Sequence, residues 1–183
     1  MGGLVLENHW ERIVLASIRE FLGAEDYATS LWTGTDGEAA RDAAYDALRR
    51  SMVSSIFLHH FSEVAVNRQH QALHGMTKID IYNELAARSV GPDQSARPED
   101  AKILGEVADA IKHGELTANH IRHVARNGRV IEWTHEAPSL LLEGRANNEP
   151  QIIVATGNGT RSLRAVLQNV CGTWSTWLGL APL

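Results

Sequence analysis

Cysteine is nearly absent: Cys171 stands alone among 183 residues, so no internal disulfide can form. A reducing, cytoplasmic setting is the expectation. No apolar run approaches the roughly 20 residues that cross a bilayer as a helix, so no membrane is expected as a partner. Basic charge is also scarce, with 17 Lys and Arg against 22 Asp and Glu and a formal charge of −5. Nucleic-acid binders usually carry a basic excess, so RNA is a disfavoured partner. The start Met1-Gly2-Gly3-Leu4-Val5-Leu6 has no basic segment ahead of an apolar core, as a secretory leader would. Its sixth residue is Leu where the myristoylation pattern needs Ser or Thr. No internal repeat or low-complexity tract occurs, which removes the solenoid architectures.

What is there suits a globular chain. Hydrophobic residues make up 44% and charged residues 21%, enough apolar surface to offset chain entropy. The length predicts one domain over 1–183, long enough to bury a core without metal or disulfide staples. The fold class read from periodicity is α+β, mainly α. A helical bundle over 1–127 precedes a small antiparallel β-sheet over 128–162 and a closing C-terminal helix over 163–180.

A first helix is predicted from Asn8 to Leu22, with Asn8 and Glu11 as a capping box and Gly23 as its stop. Trp10, Ile13, Val14, Ile18 and Phe21 form its apolar face, and 24–35 read as a loop. The longest helix runs from Asp36 to Asn67, capped by Thr35 and Glu38. Ala40, Ala44, Tyr45, Leu48, Met52, Ile56 and Val64 recur along it at three- and four-residue spacing, and its inward face is read from Tyr45, Leu48, Met52 and Ile56. A polar connection over 67–76 leads to a third helix over 78–89, with Ile79, Tyr82, Leu85 and Ala86 inward. After the Gly91-Pro92 break, a fourth helix starts near Pro98, where Glu99 and Asp100 favour the positive dipole end, and runs to His113. A short helix is expected from Ala118 to Asn127-Gly128. Then the period changes: 129–135, 140–142 and 151–154 read as strands, and Gly157-Asn158-Gly159 as a hairpin turn. Leu163, Val166, Leu167, Val170, Trp174, Trp177 and Leu178 mark the last helix.

Chemistry concentrates first at Leu58-His59-His60-Phe61-Ser62-Glu63. At about 100° per residue, His59, His60 and Glu63 fall on the predicted inward face together with Arg49. Buried polar groups cost a few kcal/mol unless paired, so such a cluster is either satisfied structurally or kept for function. The structural reading pairs Glu63 with Arg49 or another cation and hydrogen-bonds the histidines across the bundle. A second cluster is Glu106, Asp109, Lys112 and His113 on the fourth helix, read as a solvated face unless another element covers it. If the clusters met, histidine and carboxylate groups could hold a divalent metal, or act as acid and base with Lys112 or Arg49 stabilising negative charge. No His-Glu-x-x-His or duplicated Glu-x-x-His pattern names a metal, so metal and cofactor stay unassigned. His70 with His74, and His120 with His123, have helix-compatible ligand spacing but are lone pairs. Cys171 reads as an inert thiol. The stripe ending in Trp174 and Trp177 offers either core packing or a homo-oligomer contact.

Leu58–Glu63, followed by Ala108-Asp109-Ala110-Ile111-Lys112-His113, resembles a loose pattern of small bacterial and phage proteins of unassigned function. It also looks similar to the HEPN superfamily of up-and-down helical bundles. That resemblance implies a frequently dimeric protein of toxin–antitoxin and defence systems. It further implies metal-independent RNA cleavage by an arginine and a histidine four to six residues apart. Arg129 and His135, with five residues between them, carry that spacing here. The expectation is therefore a helical interaction module, homo-oligomeric or with another protein as partner. The alternative is an RNA-cleaving or metal-dependent hydrolase built on His59, His60, Glu63, Asp109, Lys112, His113, Arg129 and His135.

Overall fold

The computed structural model describes residues 5–32, 37–91, 93–113, 122–125, 130–135 and 149–183. Over them the chain is mainly helical, carries a three-stranded antiparallel sheet within 131–162, and ends on a C-terminal helix, as expected. Among the described residues no helix is long and apolar enough to cross a membrane.

Helix α1 (Leu6–His9), a π-helical stretch (Trp10–Leu15) and α2 (Ala16–Leu31) follow one another directly. The capping box expected at Asn8 is not made. The helix starts two residues earlier, behind Val5, which supplies no side-chain bond. Nor does Gly23 stop it. A helical glycine costs about 1 kcal/mol, and burial of Ala28 with the bonds Glu25 accepts from Ile152 and Arg164 outweighs that. Residues 24–31, expected as loop, therefore complete α2. Trp10, Val14, Ile18 and Phe21 are fully buried, as the periodicity predicts.

Helix α3 (Glu38–Asn67) has 30 residues, about 45 Å of axis. Thr35 of its expected capping box lies outside the described residues, and the N-cap Gly37 makes no side-chain bond. Its buried face keeps Ala40 and Ala44 of the predicted stripe but not its larger residues. Ala40, Ala44, Ala47, Ser51, Ser54, Leu58, Phe61 and Ala65 face inward. Tyr45 is 52% exposed, and Leu48, Met52 and Ile56 are half-buried. The cause is side-chain size. Small residues let α2 and α3 approach closely, and each serine is locally satisfied. Ser51 donates to the Leu48 carbonyl at 2.7 Å, Ser55 to Ser51 at 2.8 Å, and Ser54 to Ser17 of α2 at 2.8 Å. Serines bonded this way behave as small apolar groups.

The 67–76 connection contains a 3-10 turn (Gln71–Leu73) capped by His70, whose Nδ1 accepts the Ala72 N–H at 3.3 Å. Helix α4 (Lys78–Arg88) opens on a capping box between Thr77 and Asp80. It buries Ile81 and Leu85, not Ile79, which is 72% exposed; Tyr82 and Ala86 are half-buried. Helix α5 (Asp100–His113) begins two residues after Pro98, and Leu104, Val107 and Ala108 line its core side as expected.

Residues 122–125 are extended rather than helical. Val124 bridges Thr156, and Ala125 N–H donates to the Ala155 carbonyl at 2.8 Å. The remainder of the expected 118–128 helix, and the 140–142 strand, lie outside the described residues. Strands β1 (Ile131–Thr134), β2 (Gln151–Thr156) and β3 (Gly159–Ser162) lie in the order β1-β2-β3, with Ile131 opposite Val154 and Thr156 opposite Gly159. The predicted hairpin is the β2–β3 connection, and Gly159, with φ +124°, holds the backbone value a side chain would resist. Helix α6 (Leu163–Leu178) follows at once, capped by Ser162 and closed by left-handed Gly179.

The core centres on Trp10, Phe61 and Trp174, with ring centroids 4.7 Å and 5.3 Å apart in that order. Two buried carboxylates tie the helices to the C-terminal unit. Glu25 of α2 accepts the Ile152 N–H at 2.9 Å and Arg164 Nη1 at 3.1 Å. Asp100 of α5 accepts Arg161 Nη1 at 2.9 Å and Asn169 Nδ2 at 2.7 Å.

Candidate functional site

His59, His60 and Glu63 sit on consecutive turns of α3 where α4 and α5 cross it. Their environments differ. His59 is the inward member: Tyr82 Oη of α4 lies 2.8 Å from its Nδ1, and its Cε1 would stand 3.3 Å from a Cβ on Gly105 of α5. Gly105 thus leaves the space the imidazole fills. Burial, then the neighbouring His60 and Lys78, lower the His59 pKa to about 4, against weaker opposing pulls from Asp109 and Glu63. His59 is therefore neutral at physiological pH. The same burial pushes the Tyr82 phenol up, so it too is neutral.

His60 and Glu63 do not share that burial. Their side chains are 32% and 51% exposed and form a 3.3 Å pair, and Lys78 of α4 reaches Glu63 at 3.5 Å. The expectation that all three groups face the interior is corrected: the acid turns to the rim because the buried stripe of α3 is rotated toward its alanines and serines. Arg49 is corrected likewise. It is exposed and bonded to Asp46 at 2.6 Å rather than to Glu63.

The second cluster divides as well. Asp109 is half-buried and acts on His59 electrostatically, while Lys112 and His113 are exposed at the end of α5. Glu106, read from sequence as solvated, gathers the chain after α5. It accepts the backbone N–H groups of Arg122, His123 and Val124 at 3.0, 2.8 and 2.8 Å and meets His123 Nδ1 at 2.8 Å. Burial raises its pKa, but these bonds outweigh burial and hold it below the ordinary value. A covering segment was the missing signal, and nothing near Glu106 in sequence announces it. Arg129 and His120 lie outside the described residues. His135 lies beyond β1 with its ring 4.7 Å from that of Trp32.

Among the described residues no group of three or more His, Cys, Asp or Glu is arranged to hold a metal ion. Burial holds His59 neutral at physiological pH, where it is a hydrogen-bond partner of Tyr82 rather than a charged group. The arrangement works as a joint: neutral imidazole and phenol lock α3, α4 and α5 together, with a charged rim outside. Cys171 is buried, and burial pushes its thiol up to about 12, so it is inert.

The face of α3 read from sequence as inward is on the outside: Tyr45 is 52% exposed and Leu48, Met52 and Ile56 are half-buried, with Val53 and Phe57, 40% and 39% exposed, beside them. The opposite face of the same helix is fully packed. Compared with protein-family models, with curated proteins and with solved structures, the chain matches none.

Proposed function

We propose that the chain is a helical interaction module whose partner is a second copy of itself, docked through the outer face of α3. One observation carries this: a second apolar face, Tyr45 to Phe57, runs along a helix already buried on its other side. Scattered exposed hydrophobics need no explanation, but a contiguous stripe marks an interaction surface. Charge favours self-pairing. Arg49 and Glu63 are each seven residues from Ile56, so the three share one face at heptad spacing. With two α3 helices antiparallel about a two-fold axis at Ile56, Arg49 of each copy faces Glu63 of the other, and Met52 and Val53 lie beside the axis. Such an isologous contact closes as a dimer. The resemblance to the often dimeric HEPN bundles points the same way.

Sedimentation velocity over a concentration series tests the proposal. The wild type shifts from monomer to dimer with rising concentration. Ile56→Glu puts a charge on the proposed axis and stays monomeric, with its circular dichroism unchanged because Ile56 is outside the core. A wild type that stays monomeric throughout, or an Ile56→Glu variant that dimerises equally, refutes it.

A further inference from the structure

The outer face of α3 carries one side chain of the kind that changes charge near neutral pH. Arginine, lysine and carboxylate side chains keep their charge between pH 5 and 8, whereas histidine is the residue that switches there. Around Ile56 on this face stand Asp46, Arg49, His60 and Glu63. Arg50 and Arg49 hold the Asp46 carboxyl low. At Glu63 burial pulls the other way, and His60 and Lys78 outweigh it. Both acids therefore stay anionic through that range.

His60 is half-buried, with its side chain 32% exposed. Its Nδ1 lies 3.3 Å from Glu63, whose other oxygen takes Lys78 Nζ at 3.5 Å, and its ring stands 5.0 Å from that of His59. The groups facing it are thus His59 and Glu63 on α3, Lys78 on α4 and, through His59, Asp109 on α5. These belong to its own copy and act alike on monomer and dimer.

Pairing adds others. With two α3 helices antiparallel about Ile56, His60 comes level with Met52 and Val53 of the other copy, one turn from its Arg49. Two effects then share a sign. Met52 and Val53 take water from the ring, which disfavours its charged form. Arg49, drawn to Glu63, becomes a like charge beside a protonated ring. Asp46 of that copy is bonded to its own Arg49 at 2.6 Å and stands a further turn away, so it opposes these only weakly.

Resting on the self-pairing proposed above, we infer that His60 makes the α3 contact a pH-sensitive switch: the dimer forms with His60 neutral and comes apart when the ring takes a proton.

Sedimentation equilibrium at pH 7.5 and 5.5 reads the dissociation constant, with circular dichroism to show the chain folded at both. Each ring that must shed a proton to pair weakens the dimer by up to about tenfold per pH unit, and a dimer has two, so the wild-type constant rises by about tenfold or more at pH 5.5. His59, whose pKa burial lowers to about 4, stays neutral over this window and adds nothing. In His60→Gln, whatever its affinity at pH 7.5, the two constants agree. A wild-type constant equal or lower at pH 5.5 overturns the inference and leaves the self-pairing standing. So does a His60→Gln variant that keeps the wild-type difference. A chain monomeric at both pH values overturns the self-pairing, and this inference with it.

Discussion

Replacing Asp100 by alanine is expected to cost about 3–5 kcal/mol of folding stability. Asp100 is completely buried at the first turn of α5 and receives Arg161 from β3 and Asn169 from α6. Its removal strips a buried guanidinium bond and a buried amide bond of their acceptor at once. It also takes an anion from the positive end of α5. For a chain of this length such a loss lowers the melting temperature by about 10 °C. Urea denaturation supplies the free energy. In a double-mutant cycle, Arg161→Ala costs much less in the Asp100→Ala background than in the wild type, because the two groups act as a unit. Strict additivity of the two variants would show that the pair does not couple α5 to the sheet.

The second large effect is a loss of stability in mild acid caused by His59. Its folded pKa is lowered to about 4 from the ordinary 6.5, so the unfolded chain takes up the proton first. Above pH 6.5 neither state is protonated there, and the full stability is present. As pH falls from 6.5 to 4 the unfolded state gains about 1.4 kcal/mol per unit, and the total loss approaches about 3 kcal/mol. Below 4 the folded state is protonated too and this contribution levels off. The groups facing the imidazole are His60 and Glu63 on α3, Lys78 and Tyr82 on α4, and Asp109 on α5. Carboxylates held low in the fold, such as Glu106 and Asp46, add their own loss in a lower window, below the unfolded carboxylate values. Unfolding measured at pH 7, 5.5 and 4.5 tests the point. His59→Gln keeps a polar partner for Tyr82 and flattens the slope between 6.5 and 4. An unchanged slope in that variant would remove His59 as its source.

At the C-terminal unit, where local chemistry decides the outcome, the sequence reads correctly, although the local signal at Asn8 does not. Helix α6 is bounded by a Ser162 cap and a left-handed Gly179, both local devices, and the β2–β3 turn follows from its glycines and asparagine. Where a distant element decides, the reading fails in a consistent direction. The inner face of α3 was hidden because Ser51, Ser54 and Ser55 look polar in sequence yet spend their hydroxyls on helix carbonyls. Large apolar residues then seemed the natural core, and they proved to be the outer stripe. Gly23 looked like a stop because the reward for continuing, burial of Ala28 and the pairing of Glu25 with Ile152 and Arg164, is tertiary. Asp100 looked like an ordinary acid at a helix start because Arg161 and Asn169 lie more than sixty residues away. The candidate site follows the same rule. His59 was read as inward from a face that proved to be the outer one; it is covered because Tyr82 of α4 and Gly105 of α5 reach over it, and Glu63, one turn on, is not.

The rotation of α3 toward its small residues exposes the docking face, so cross-linking at Ile56 tests the account most directly. The only native thiol, Cys171, is buried and unreactive, so Ile56→Cys introduces one reactive sulfur on the proposed two-fold axis. Two such residues on facing helices come within the reach of a disulfide. Mild oxidation followed by non-reducing electrophoresis is expected to give a covalent dimer from Ile56→Cys, and far less from Asn83→Cys on the exposed side of α4. Equal cross-linking at the two positions, or none at Ile56, would contradict the paired α3 helices.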